Sequence, residues 1–142
     1  MEQQPLSIRV MTPHGFEETE EEVRAALATE GFGVLTEIDV AATMQAKLGV
    51  EMPAYKILGA CNPQLAHRGL MAWDGFGVLL PCNVIIEDLG DHRAVIAFNP
   101  LDIEAARQHP EIGPVAEEVH ARLERVLTVI EAAGAARPIA VA

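Results

Sequence analysis

The alternation of apolar and polar residues predicts a strand, a helix and a second strand at the start of this chain. Residues 6–12 place Leu6, Ile8 and Val10 on one side and the residues between them on the other. This period of two is typical of a half-buried strand. An acidic helix follows, and the same alternation then returns over residues 33–40 as a second strand.

Residues that begin and end helices mark the middle of the chain. Asp39 is placed to cap a short helix, which Gly49 terminates. A third strand over residues 55–60 leads to Asn62-Pro63, where Asn as N-cap and Pro at the first helical position predict another helix. Each of these boundaries therefore has a local cause.

The last third of the chain predicts a hairpin and a long helix. Residues 82–89 and 93–98 pair as strands across a Gly-Asp turn, whereas the apolar residues 76–80 are either a loop or a strand. The final helix begins at Pro114 and runs to about Ala133. Its apolar stripe occupies one side only, so we expect this helix to lie across the sheet.

The order of these elements predicts an α+β fold, a curved antiparallel sheet backed by helices. A chain of 142 residues is most simply one domain, residues 1–142, large enough to bury one sizeable core. We expect the core to span about residues 6–133. Gly134 should close the last helix and leave residues 134–142 as a loose tail.

The charge of the chain restricts its partners. A net charge of −11 provides no basic surface for nucleic acid or for anionic membranes. No apolar run approaches the length of a membrane span, and the N-terminus lacks the pattern of a secretory signal. We therefore expect a cytoplasmic protein that binds neither nucleic acid nor membrane, with both cysteines as reduced thiols.

Three segments of the sequence resemble the domain of unknown function 302 family. They are residues 31–40 (GFGVLTEIDV), 55–63 (YKILGACNP) and 80–84 (LPCNV), and the resemblance extends over roughly residues 7–130. It implies a TATA-box-binding-protein-like fold, of the form β-α-β(4)-α, with a curved antiparallel sheet and a closing helix. The family name carries no activity, and such a fold does not by itself imply DNA binding.

The two cysteines, Cys61 and Cys82, are the main candidates for chemistry. Each is followed by Asn and lies beside a Pro. Cys61 directly precedes the predicted helix, whose free amides can lower the pKa of a thiol. If their strands are neighbours, the two sulfur atoms can face each other and form a reversible disulfide or bind a soft metal such as Zn or Cu(I). His67, on the predicted helix, is a candidate third ligand or acid/base partner.

A structural interpretation of the same residues stays open. Free Cys often packs as a small buried hydrophobe, and the sequence has no Cys-x-x-Cys and no Cys/His cluster at zinc spacing. Asn62 is then a helix cap, and Tyr55 and Trp73 either line a pocket or pack at the edge of the core.

The remaining histidines and acidic residues predict surface positions. Five of the six residues from Glu17 to Glu22 are Glu, a run typical of a solvated helix face. The other histidines fall in turns and on helix faces, where His is commonly exposed; they are His14, His92, His109 and His120.

Three functional hypotheses follow from this sequence. The first is a binding module that uses Cys61, Cys82, His67, Asn62 and Tyr55 to bind a soft metal or a sulfur species. The second is a non-catalytic dimeric interaction domain or small-ligand-binding domain with structural cysteines, and the third is a thiol-dependent enzyme. We expect a homodimer, because a short sheet leaves edges and apolar surface that a second copy can cover.

Overall fold

Residues 1–136 form one six-stranded antiparallel sheet in the order β1-β2-β6-β5-β4-β3. The structure is a computed structural model, and it describes residues 1–136. The strands are β1 (Glu2–Gln4), β2 (Ser7–Thr12), β3 (Gly33–Asp39), β4 (Tyr55–Cys61), β5 (Cys82–Asp88) and β6 (Arg93–Phe98). The predicted α+β fold with an antiparallel sheet and helices is confirmed.

The helices connect and cover these strands. They are α1 (Phe16–Thr29), α2 (Val40–Leu48), α3 (Pro63–Ala72), α4 (Glu104–Gln108) and α5 (Ile112–Ala136), and two short 3₁₀ segments cover Asp74–Leu79 and Pro100–Asp102. The long helix α5 packs along β2 and contacts α1, α3 and α4. Within residues 1–136, none of the helices combines the length and the apolar character needed to cross a membrane.

The register of the strands places alternate residues in one core. Leu58 pairs with Val84, and Val84 pairs with Ala97, so these fully buried side chains share one face of the sheet. The helices cover this face with Leu27, Leu123 and other apolar residues, which belong to the same buried cluster. Burial of this apolar surface is the main stabilising contribution to the fold.

The opposite face of the sheet carries a row of isoleucines. The cross-strand partners in this row are Ile38, Ile57, Ile85 and Ile96, in that order from β3 to β6. Ile38 is exposed and the other three are partly buried. This face therefore presents apolar side chains to the surroundings.

Several predicted helix boundaries are confirmed because short-range contacts define them. The Asp39 side chain accepts a hydrogen bond from the amide of Ala42 at 2.9 Å and so caps α2, and Gly49 ends α2 in the left-handed conformation. Asn62 caps α3, with Pro63 at its first position.

Other predicted boundaries were wrong. The structure adds the short strand β1, and it makes residues 76–79 part of the 3₁₀ segment Asp74–Leu79 rather than a loop or strand. Helix α5 begins at Ile112, before Pro114, and continues through Gly134. Gly134 therefore does not end the helix. A Cβ at this position would lie 2.7 Å from Thr12 Oγ1, so the glycine permits close packing of α5 against the end of β2. The rest of the predicted tail, residues 137–142, lies outside the described residues.

Candidate functional site

Asn62 joins the segment that follows α1 to the start of α3. Its Oδ1 accepts a hydrogen bond from the amide of Leu65, and its Nδ2 donates to the carbonyl of Glu30, both at 3.2 Å. Gly31 has φ +83°, and a Cβ at that position would lie 2.8 Å from Asn62 Nδ2. Two of the three resemblance segments, residues 31–40 and 55–63, therefore meet at this buried asparagine.

Gly59 allows all three resemblance segments to meet. A Cβ on Gly59 would lie 2.0 Å from Thr36 Oγ1 and 2.7 Å from Pro81 Cγ. Thr36 is the cross-strand partner of Gly59, and Pro81 comes just before β5. The shared pattern of these segments therefore reflects close packing at one end of the sheet.

The predicted face-to-face pair of sulfur atoms does not form. The strands β4 and β5 are neighbours, as expected, but the cross-strand partner of Cys82 is Ala60, and Cys61 is instead the partner of Gly33. Because side chains alternate along a strand, the residue that follows Ala60 is directed away from the face that Cys82 shares with Ala60. Both cysteines are free: Cys61 is partly exposed and Cys82 is 6% exposed.

The environment of Cys82 suppresses thiol chemistry. Burial, with a smaller contribution from Cys61, raises the pKa of the Cys82 thiol to about 12. The nucleophile and metal ligand is the thiolate, and it is rare at neutral pH when the pKa is this high. Cys82 is therefore placed as a packed apolar side chain.

The cavity beside the cysteines is small. Cys61 and Cys82 both line an internal space of about 30 Å³, together with apolar side chains from α3, α5 and the 3₁₀ segment Asp74–Leu79. That volume accommodates one or two water molecules and no organic ligand.

The other predicted site residues lie apart from the cysteines. His67 is exposed on α3 and lines a shallow surface groove with Glu111. Tyr55 begins β4, at the other end of the strand from Cys61, and its partner is Glu87. Burial and the charge of Glu87 raise the pKa of the Tyr55 hydroxyl. The structure thus brings Asn62 to the cysteines and places His67 and Tyr55 elsewhere.

An open apolar groove lies next to the cysteine cavity. Its volume is about 420 Å³, within the range of ordinary small-molecule sites. It is lined by Trp73, Val78, Leu79, Ile103, Ala105, Ala106, His109 and Ile112. Leu79, Ala106 and Ile112 also line the cysteine cavity, so these side chains separate the groove from the thiols.

Two side chains supply the polar atoms of this groove. His109 Nδ1 accepts hydrogen bonds from the amides of Glu111 at 3.0 Å and Ile112 at 3.1 Å, and so caps α5. A nitrogen that accepts carries no proton, so in the neutral ring Nε2 bears the hydrogen. The indole N–H of Trp73 is a second donor. The lining of the groove is therefore mostly apolar, and two of its side chains carry an N–H donor.

The position of Trp73 depends on a glycine. Trp73 is 47% exposed, and a Cβ on Gly75 would lie only 2.2 Å from its Cζ2 atom. The indole thus lies directly over the Gly75 backbone. Gly77, in the same 3₁₀ segment, has no atom within 4 Å of a Cβ placed there. Gly75, but not Gly77, is required for this wall of the groove.

A polar cluster occupies the opposite end of the sheet. His14, in the turn between β2 and α1, is 6% exposed, so the prediction of a surface histidine was wrong. Its Nδ1 lies 2.5 Å from Glu22 Oε1 and 3.9 Å from Glu18 Oε1. Two glutamates of the predicted solvated run therefore face a buried imidazole.

Sequence reasoning missed the groove and this cluster for different reasons. A usable signal was that Glu18 and Glu22, four residues apart, share one face of a helix, and that His14 continues the same spacing into the turn before it. The groove had no comparable signal, since Trp73 and His109 are 36 positions apart and meet only through the packing of α3 against α5.

The fold and these sites define an α+β domain with one open antiparallel sheet face and a helix-lined apolar groove. The sequence matches the family of the domain of unknown function DUF302 over residues 8–130, and the chain belongs to that family. It is similar to a crystal structure of the uncharacterized conserved protein DUF302 from Bacillus stearothermophilus, with 28% identity and a TM-score of 0.81. That match covers 88% of this chain and 98% of the other. A search of curated proteins finds no match.

Proposed function

We propose that this protein is a small-molecule-binding domain whose ligand occupies the groove between Trp73 and His109. The ligand is compact, mostly apolar and uncharged, and it carries a hydrogen-bond acceptor. The observation that carries the proposal is the groove of about 420 Å³, whose mostly apolar lining includes Trp73 and His109. A net charge of −11 makes an anionic ligand less favourable than a neutral one.

The chemistry of the groove supports this class of ligand. A flat apolar molecule gains contact area on the exposed indole of Trp73 and on Val78 and Ile103. A carbonyl or hydroxyl oxygen on the ligand satisfies the Nε2 hydrogen of His109 or the indole N–H of Trp73. Specific orientation by a few donors inside apolar walls is the usual design of such sites.

The environment of the cysteines favours a structural role over the soft-metal, sulfur-binding and thiol-enzyme hypotheses. Cys82 is buried and its raised pKa keeps it protonated, so it is a poor ligand and a poor nucleophile. His67 lies on the exposed side of α3, away from the cysteine cavity. We therefore place the function in the groove.

The proposal is tested by titrating the protein with acetophenone, a small neutral aromatic ketone. The chain has one tryptophan, so the Trp73 indole N–H gives a single resolved proton signal. We expect saturable shifts of this signal with a roughly millimolar dissociation constant, as befits a ligand of fragment size. Gly75→Ala displaces the indole and should weaken binding at least about tenfold.

Matched variants separate a groove effect from a general one. Gly77→Ala is the control for Gly75→Ala, since its added methyl group meets nothing. Val78→Glu introduces a charge at an exposed position in the groove lining and should weaken binding. Val129→Glu introduces the same charge at an exposed position outside the groove and serves as its control. Equal binding by all four variants, or no saturation in the wild-type protein, contradicts the proposal.

We also propose self-association through the open face of the sheet. The row of Ile38, Ile57, Ile85 and Ile96 supports this, because apolar side chains in register on an uncovered face favour contact with a second copy. Sedimentation should give a dimer that Ile57→Lys dissociates. A particle of 15.3 kDa at micromolar concentration contradicts it.

A further inference from the structure

The turn between β2 and α1 brings three metal-binding side chains together. One donor atom from each of His14, Glu18 and Glu22 lies within 4.8 Å of the other two. Across residues 1–136, no second group of three or more His, Cys, Asp or Glu side chains converges in this way. The feature is independent of the groove, since it lies at the opposite end of the sheet.

The imidazole at the centre of this cluster is buried and incompletely satisfied. His14 is 6% exposed, its Nδ1 faces the two carboxylates, and its Nε2 is buried. Glu22 Oε2 is buried as well, and neither this oxygen nor His14 Nε2 has a hydrogen-bond partner among the described residues. Buried polar atoms without a partner are uncommon in native proteins, and an ion bound beside Glu22 would give its Oε2 a partner.

We propose that His14, Glu18 and Glu22 bind one first-row divalent cation such as Zn²⁺. One imidazole nitrogen and two carboxylates are a donor set that suits these ions. The imidazole binds the ion through Nδ1 and carries its single hydrogen on Nε2, so the ion takes the place of the hydrogen between His14 Nδ1 and Glu22 Oε1. The ion also gives Glu22 Oε2 a partner when that carboxylate binds through both oxygens. Three protein ligands leave a further position for water.

The charge of the ligands suits a divalent ion. Glu18 and Glu22 together carry a formal charge of −2, equal and opposite to that of the ion. The 2.5 Å separation of His14 Nδ1 and Glu22 Oε1 would widen to roughly 3.3 Å around an ion with bonds of about 2 Å.

His120 provides a comparison, because it pairs with one carboxylate where His14 faces two. His120 Nε2 lies 3.2 Å from Glu124 Oε2, and His120 Nδ1 is also buried without a partner in the described part of the chain. This pair on α5 has one carboxylate and is not part of a convergent group. Glu124→Gln is therefore a matched control for the same change in the cluster.

The test is titration of chelator-treated full-length protein with Co²⁺, followed by displacement with Zn²⁺. We expect one equivalent of Co²⁺ to give visible absorption without the intense near-ultraviolet band of thiolate ligands. Glu18→Gln and Glu22→Gln should each weaken binding at least about tenfold, and Glu124→Gln should not. The Glu18 side chain is 40% exposed, so Glu18→Gln should fold normally, which circular dichroism checks.

A separate readout uses stability. Zn²⁺ should raise the Tm of the wild-type protein and of Glu124→Gln, and leave that of Glu18→Gln unchanged, because an ion that binds only the folded state stabilises it. Equal affinity in all variants, a thiolate band lost in Cys61→Ser, or no binding at millimolar Co²⁺ would overturn the proposal. In those cases the cluster is a hydrogen-bonded contact between His14 and Glu22 that holds no ion.

Discussion

The two ends of the sheet differ in what their side chains can do. At one end, Cys61 and Cys82 stand beside apolar residues and a cavity of about 30 Å³. At the other end, His14 and its two glutamates converge, and next to them Lys56 forms ion pairs with Glu20 and Glu37, each at 2.7 Å. At the first end the two thiols lie among apolar residues and Cys82 is buried, whereas at the second end acidic side chains converge on an imidazole. Burial and convergence, more than residue type, decide where chemistry is possible.

The reactivity of Cys82 gives the largest expected effect and the clearest way to break this comparison. A pKa of about 12 instead of 9.0 makes the thiolate about 1000-fold rarer at pH 8. In Cys61→Ser, a thiol reagent should therefore modify native Cys82 at least about 1000-fold more slowly than the same protein unfolded in urea. Similar rates in the two states would show that the cysteine end is chemically available.

The two asparagines that follow the cysteines should differ in their contribution to stability. Asn62 is buried, caps α3 and bonds the Glu30 carbonyl, so Asn62→Ala should lower the free energy of unfolding by about 2 kcal/mol. Asn83 is exposed, and we expect Asn83→Ala to change the free energy of unfolding by less than about 0.5 kcal/mol. Urea denaturation measures both values, and equal losses would mean that the repeated Cys-Asn pattern has a shared role.

Acid should weaken the polar end by a small amount. Burial alone would raise the pKa of Glu20, but hydrogen bonds from Lys56 and Arg24 outweigh it and hold that pKa below 4.5. The unfolded chain then binds the proton more readily, so this contribution is present above about pH 4.5 and is lost as pH falls. We expect the interactions of Glu20 to contribute at most about 1 kcal/mol to the free energy of unfolding.

Urea denaturation of Lys56→Met between pH 3 and pH 7 checks this expectation. The variant should lose stability at pH 7 and show a shallower acid dependence than the wild-type protein. Lys47→Met, which alters an exposed lysine on α2, is the matched control. If the free energy of unfolding depends on pH in the same way in Lys56→Met and in the wild-type protein, the pairing of Glu20 with Lys56 does not contribute to the acid dependence.

The sequence was most informative where structure depends on neighbouring residues. Asp39, Gly49 and Asn62 specify helix ends through contacts within a few positions, and these ends were predicted. The hairpin of β5 and β6 also follows from a local turn. The family resemblance, predicted over roughly residues 7–130, is confirmed by the family match over residues 8–130.

The sites were less predictable because they depend on register and on distant packing. A difference of one residue in register makes Ala60 the partner of Cys82 and removes the expected sulfur pair. The burial of His14 accompanies the close contact of Gly134, from the far end of the chain, with Thr12 in the strand before it. Local periodicity predicts neither the strand register nor the contact between Gly134 and Thr12. It places Glu18 and Glu22 on one helix face but does not say which residues pack against that face.

The central claim is that the groove beside Trp73, and not the pair of thiols, is the ligand site at the cysteine end. It is tested most directly by measuring nuclear Overhauser effects between bound acetophenone and the wild-type protein. We predict contacts from the aromatic ring of the ligand to Trp73, Val78 and Ile103. Contacts to Cys61 without any to Trp73 would contradict the account.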